Sequence, residues 1–100
     1  MKAMRNEIFK QISEERDRQD AKFGIQNRLP IEWMAILVEE VGEASTEALE
    51  NHFKGVYRDP VALQSYRTEL IQVAAVAVNM VECFDRQAQL FVEEFNRINP

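Results

Sequence analysis

Residues 69–84 read Glu-Leu-Ile-Gln-Val-Ala-Ala-Val-Ala-Val-Asn-Met-Val-Glu-Cys-Phe. Placed at 100° per residue, Leu70, Ile71, Val73, Ala74, Ala75, Ala77, Val78, Met80 and Val81 cover nearly the whole circumference, and a helix apolar nearly all round is a buried one. Between residues 69 and 81 the exceptions are Glu69, Gln72 and Asn79, which share one narrow stripe with Val76 and Cys83. Buried polar groups need partners, so this stripe predicts a polar neighbour across a helix interface. Small Ala74, Ala75 and Ala77 allow a neighbouring helix to approach closely.

Working outward, Asp59 and Pro60 have the capping and first-turn character that opens a helix, which sets its expected span at Pro60 to about Phe84. After it Phe84, Ala88, Phe91, Phe95 and Ile98 form a fourth amphipathic segment, expected to be set off by a kink near Asp85 and Arg86. Upstream, Met4, Ile8, Phe9 and Ile12 recur at helical spacing in a first helix from Ala3 to about Asp20. Its second half, Glu14 to Arg18, is charged and reads as solvated or meeting another subunit. The run from Phe23 to Pro30 holds Gly24, Asn27 and Pro30 and reads as the longest loop. Pro30 is expected to open helix two, with Gly55 as its stop.

Three glycines and three prolines in 100 residues leave little punctuation for a many-turned β protein. The composition is that of an all-α chain rich in good helix formers, with one domain over residues 1–100 and a second subunit to complete a modest core. The formal net charge of −5 argues against a duplex-nucleic-acid binder, which displaces counterions with Lys and Arg. No signal-peptide pattern opens the chain, and no apolar run exceeds the six residues of Val73 to Val78, far too few to span a bilayer. A cytoplasmic protein with no membrane partner is the expectation. The single Cys83 cannot form an internal disulfide and reads as a buried, inert thiol.

Helix two carries Glu32, Glu39, Glu40, Glu43, Glu47 and Glu50 between Ile31 and Glu50, with no Lys or Arg among them. Like charges three or four apart repel by about 0.2–0.5 kcal/mol per pair, so the arrangement predicts a cation from outside the helix. Glu40 and Glu43 lie one turn apart, with Glu39 beside Glu43, and Glu69 and Gln72 repeat the spacing on helix three. Two such pairs on facing helices bring four oxygen-bearing side chains around one point, which suits Mg²⁺ or Mn²⁺. The same arc is also what a solvated helix face looks like, and Glu47 and Glu50 are read that way. His52, the only histidine, does not follow a glutamate by three positions, so the Glu-x-x-His motif of di-iron bundles is missing.

At these residues the chain resembles the MazG-like family of all-α nucleoside triphosphate pyrophosphohydrolases. The family pattern is EExxE followed by ExxD, and this chain has Glu39-Glu40-Val41-Gly42-Glu43 and then Glu69-Leu70-Ile71-Gln72. Arg18-Gln19, Lys22-Phe23-Gly24-Ile25-Gln26, Trp33, and the run from Tyr66 to Ala77 are similar to a bacterial and phage branch. The likeness covers about residues 15 to 83. Gln72 departs from it, since many members have Asp there.

The resemblance implies a four-helix bundle assembled as a homodimer or tetramer. It implies Mg²⁺-dependent hydrolysis of a nucleoside triphosphate to the monophosphate and pyrophosphate. Glu40, Glu43, Glu69 and Gln72 are assigned to metal and Glu39 to the base or water-orienting role. Arg67, Lys54 and Arg58 are the candidate phosphate cations flanking the site, with Lys22 and Arg28 in the loop that could cover it. Asn79 is either part of the site or a buried amide bonded to a neighbouring helix. Trp33 is expected in core or interface packing. The rival readings are a non-catalytic helical binding module whose metal site has decayed at Gln72, and a pyrophosphohydrolase of another polyphosphate such as phosphoribosyl-ATP.

Overall fold

A computed structural model describes residues 1–100. Three helices, α1 (Lys2–Phe23), α2 (Pro30–Phe53) and α3 (Gln64–Ile98), form the chain. The all-α expectation holds. The fourth helix does not form, because α3 continues through Asp85 and Arg86 to Ile98. No Gly or Pro lies between Pro60 and Pro100, and an established helix propagates cooperatively until something breaks it.

Local chemistry sets the other boundaries. Pro30 is the first residue of α2, and the Glu32 carboxylate reaches back to accept from the Leu29 N–H at 2.9 Å, closing one of the helix's orphan donors. Gly24 and Gly55 adopt φ +71° and +75° after α1 and α2, the left-handed conformation that ends helices cheaply only at glycine. Asp59 accepts from the Val61 N–H at 2.9 Å as a cap should. The expected start of α3 at Pro60 is nevertheless too early. Leu63, at φ −81° and ψ 0°, interrupts the turn it begins, and regular helix starts at Gln64.

Central α3 packs against α1 on one side and α2 on another, while the backbones of α1 and α2 do not approach each other. The α1 seam is fixed by Arg16, which is only 6% exposed. Its Nε donates to Glu82 of α3 at 2.9 Å and its Nη2 to Asp20 at 3.0 Å, and its Nη1 donates to Gln19 at 3.0 Å. Replacing Arg16 by Ala strips these bonds and leaves Glu82, which is still solvated on one side, without its partner. The expected loss is about 2 kcal/mol in chemical denaturation, below the 3–5 kcal/mol of a fully buried pair. An unchanged denaturation midpoint would show that the pair is cosmetic.

The α2 seam is apolar at one end and acidic at the other. Trp33, Ala44, Ala75, Val76, Asn79 and Cys83 are buried along it. The Cys83 thiol donates to the Arg28 carbonyl oxygen at 3.7 Å, and Arg86 donates to Gln26 O at 3.1 Å and Asn27 Oδ1 at 3.2 Å. These bonds tie the α1–α2 loop down onto α3. Trp33 and Cys83 are thus packing residues, as expected.

Burial of α3 is narrower than its apolar circumference implies. Leu70, Val78 and Val81 are 43%, 40% and 59% exposed, and every residue from Gln89 to Pro100 is exposed. The radius of gyration is 17.5 Å, against about 13 Å for a compact domain of this length. The excess comes from α3 running past its two partners. No helix is long and apolar enough to cross a membrane.

Candidate metal centre

The acidic half of the α2–α3 seam gathers three of the sequence-selected carboxylates. Glu40 and Glu43, one turn apart on α2, point toward α3, where Glu69 meets them, and one carboxylate oxygen from each lies within 4.8 Å of the others. The helical spacing of three on α2 and the packing of α2 on α3 produce this convergence. Glu40 and Glu69 are half-buried and Glu43 is exposed. One oxygen of each half-buried acid, Glu40 Oε2 and Glu69 Oε2, is closed off from solvent and meets no hydrogen-bond donor of the protein. An ionised carboxylate oxygen buried without a donor or cation is costly.

The electrostatics follow from that geometry. Desolvation raises the Glu40 carboxyl above its ordinary range, and the charges of Glu43, Glu39 and Glu15 push it further the same way. Desolvation likewise raises Glu69, aided by Glu43 foremost and then by Glu40 and Glu47. No cationic side chain forms an ion pair with any of the three. The arrangement favours either shared protons or a cation drawn into the cluster.

Gln72 is half-buried and shares with Glu40 a cavity of about 390 Å³ whose far wall is α1, with Glu15, Arg18, Gln19 and Lys22. Its amide is uncharged and lies beside Glu40 in that cavity, with an oxygen able to accept but not to carry charge. Glu39 is exposed and acts on the cluster through its charge. Glu47, read from its wheel position as solvated surface, is half-buried and adds to the field on Glu69.

The flanking cations divide. Arg67 donates to Gln11 Oε1 of α1 at 2.8 Å. Lys54 and Arg58 are exposed in the α2–α3 connection, where Arg58 lies 5.4 Å over the Tyr57 ring. None of the three lines the cavity that Glu40 and Gln72 share. The cations that do line it are Arg18 and Lys22. Arg18 is held there by Glu15, which accepts from its Nε at 3.0 Å and its Nη2 at 2.9 Å. Asn79, two turns along from Gln72, is only 4% exposed, deep in the interface. Glu15, read from the sequence only as part of a charged stretch that is solvated or meets another subunit, was not singled out for the site. Its one signal was the lack of apolar residues in the second half of α1, which fits a helix lining a polar cleft as well as one facing water.

No family model matches the chain, and no curated protein or solved structure matches it either. What can be said of function therefore rests on these residues.

Proposed function

We propose that this chain is a Mg²⁺-dependent nucleoside triphosphate pyrophosphohydrolase, releasing pyrophosphate and a nucleoside monophosphate. The observation that carries the reading is the convergence of Glu40, Glu43 and Glu69 across α2 and α3, in which Glu40 and Glu69 each keep one buried oxygen without a hydrogen-bond partner. Hard oxygen donors in an acidic cleft suit Mg²⁺ or Mn²⁺ rather than a softer metal. In this reading Glu40, Glu43 and Glu69 hold the ion, with the Gln72 amide oxygen as a neutral fourth group. When bound, the ion neutralises phosphate charge and lowers the pKa of a bound water.

The remaining chemistry belongs to the side chains. Glu39, next to Glu40 and exposed, accepts the proton of the attacking water. Arg18 and Lys22 meet phosphate oxygens from the α1 wall of the shared cavity, while Arg67, Lys54 and Arg58 lie outside its lining. Asn79 supports the site from the interface below. The active form is a homodimer or tetramer in the cytoplasm. The likeness of Glu39 to Gln72 to the MazG-like motif supports both the substrate class and this assembly.

The neutral Gln72 favours one second reading, a binding module that keeps the bundle and has lost turnover. A panel of ribo- and deoxynucleoside triphosphates assayed for pyrophosphate release with and without Mg²⁺ separates the two. Release from at least one triphosphate, dependent on the metal, is the expected outcome. No release from any, with metal still bound in calorimetric titration, selects the binding module, and no binding at all removes both readings.

A further inference from the structure

Helix α3 has three faces, and two are used. One meets α1 through Glu82, and the other meets α2 through Val76, Asn79 and Cys83. Along the third run Leu70, Ala74, Ala77 and Val81, spaced alternately four and three. The same alternation continues without a slip through Phe84, Ala88, Phe91, Phe95 and Ile98. Four and three in strict alternation is the heptad spacing of a helix that packs along its length on another helix. The large side chains of this seam lie open, with Val81, Phe84, Phe91, Phe95 and Ile98 59–69% exposed, and the small Ala74, Ala77 and Ala88 between them are half-buried.

We propose that this face docks on the same face of a second copy, the two α3 helices running antiparallel about a twofold axis near Phe84. The seam is about 42 Å long at 1.5 Å per residue. With about 200 Å² for a whole phenylalanine, its three exposed rings alone offer roughly 400 Å². Leu70, Val81 and Ile98 bring the face close to the roughly 800 Å² that each partner of a stable complex buries. The apolar groove of about 560 Å³ between Trp33 and Phe91 opens onto the same seam, since Val81 and Phe84 border both. A helix laid along the seam closes it.

The distribution of side-chain size sets the direction. The first half of the seam is small at Ala74 and Ala77, and the second half is bulky at Phe84, Phe91 and Phe95. A parallel pair puts rings against rings and leaves a gap between alanines, which close packing does not tolerate. An antiparallel pair lays Phe91 and Phe95 of each copy over the alanines of the other. It also places the two Glu93-Glu94 pairs at opposite ends instead of side by side. Because the interface is isologous, one patch suffices for both subunits. The inference sharpens the oligomeric part of the proposal above and does not depend on its chemistry.

Cysteine pairing in the full-length protein tests it. In a Cys83→Ala background, Ala74→Cys or Ala77→Cys protein is mixed with Phe91→Cys protein and oxidised under native conditions. Expected is a mixed disulfide dimer in excess over either homodimer. Homodimers of the Ala74→Cys protein in excess would establish a parallel pair and overturn the proposal. A wild type that sediments as a dimer while no pair cross-links would place the contact on another face, such as exposed Ile31 and Val38 of α2, and overturn it equally. So would a wild-type monomer at tens of micromolar. Separately, Phe91→Glu should weaken dimerisation by about 30-fold or more, the effect of removing a hot spot, with helical circular dichroism intact because Phe91 is exposed within the protomer. Neither readout involves turnover, so failure here and failure of the hydrolase reading are distinguishable.

Discussion

Glu40→Ala and Glu69→Ala are each expected to cut Mg²⁺-dependent pyrophosphate release by about 10³-fold or more, since a metal's charge stabilisation is worth several kcal/mol. The same substitutions should leave the metal-free protein no less stable. Each removes a carboxylate that burial and Glu43 hold in an unfavourable state, and relief of a like-charge helical pair returns about 0.2–0.5 kcal/mol. Lost turnover together with a slightly higher melting temperature in the absence of metal marks a functional carboxylate; a structural one gives lost turnover and lost fold together. Gln72→Asp is the complementary change. A charged oxygen in place of a neutral one should tighten Mg²⁺ binding measured by calorimetry. Turnover unaffected by Glu40→Ala would rule this cluster out as the centre.

The acidic cluster was legible because its geometry is mostly local. Glu40 and Glu43 share a face by helical spacing alone, and Glu69 needed only one further assumption, that α2 and α3 pack together. The α1 contribution was legible only in part: Lys22 was placed where it could cover the site, Arg18 entered only through the family likeness, and Glu15 was not singled out. Arg18 and Lys22 enter the cavity only because Arg16 locks α1 onto Glu82, a pair 66 residues apart in the chain, and no periodicity announces such a partner. Arg67 was placed by its nearness to Glu69 in sequence. On a helix a separation of two turns a side chain far around the axis, which is how Gln11 of α1 comes to hold it. The missing fourth helix has a different origin. The amphipathic pattern from Phe84 to Ile98 was real, but a pattern says which face is apolar and not where a helix ends. The exposed seam on α3 has the same lesson in it: an apolar circumference within one chain became one buried stripe and one that looks outward.

Thermal stability should depend on pH and on Mg²⁺ in opposite senses. Glu40 and Glu69 hold carboxyl pKa values in the folded state above the ordinary 4.5. The folded protein therefore binds protons more tightly than the unfolded chain at these sites. Their contribution to stability is fully present below the unfolded value and is lost as pH rises through the raised folded values. Without metal, the melting temperature is expected to fall as pH climbs from about 4.5 toward neutrality. Metal binding demands ionised carboxylates and displaces those protons, so the stabilisation by Mg²⁺ should grow over the same interval. At a metal concentration of 100 times Kd the gain is about 2.7 kcal/mol, or about 10 °C or more for a chain of this length. Glu43→Gln, which keeps the side-chain shape and removes one charge from the cluster, should lose most of that shift. A Mg²⁺ shift equal in the mutant and the wild type, or one that does not change with pH, would mean that the ion binds elsewhere and that the carboxylates of α2 and α3 share protons instead of a metal.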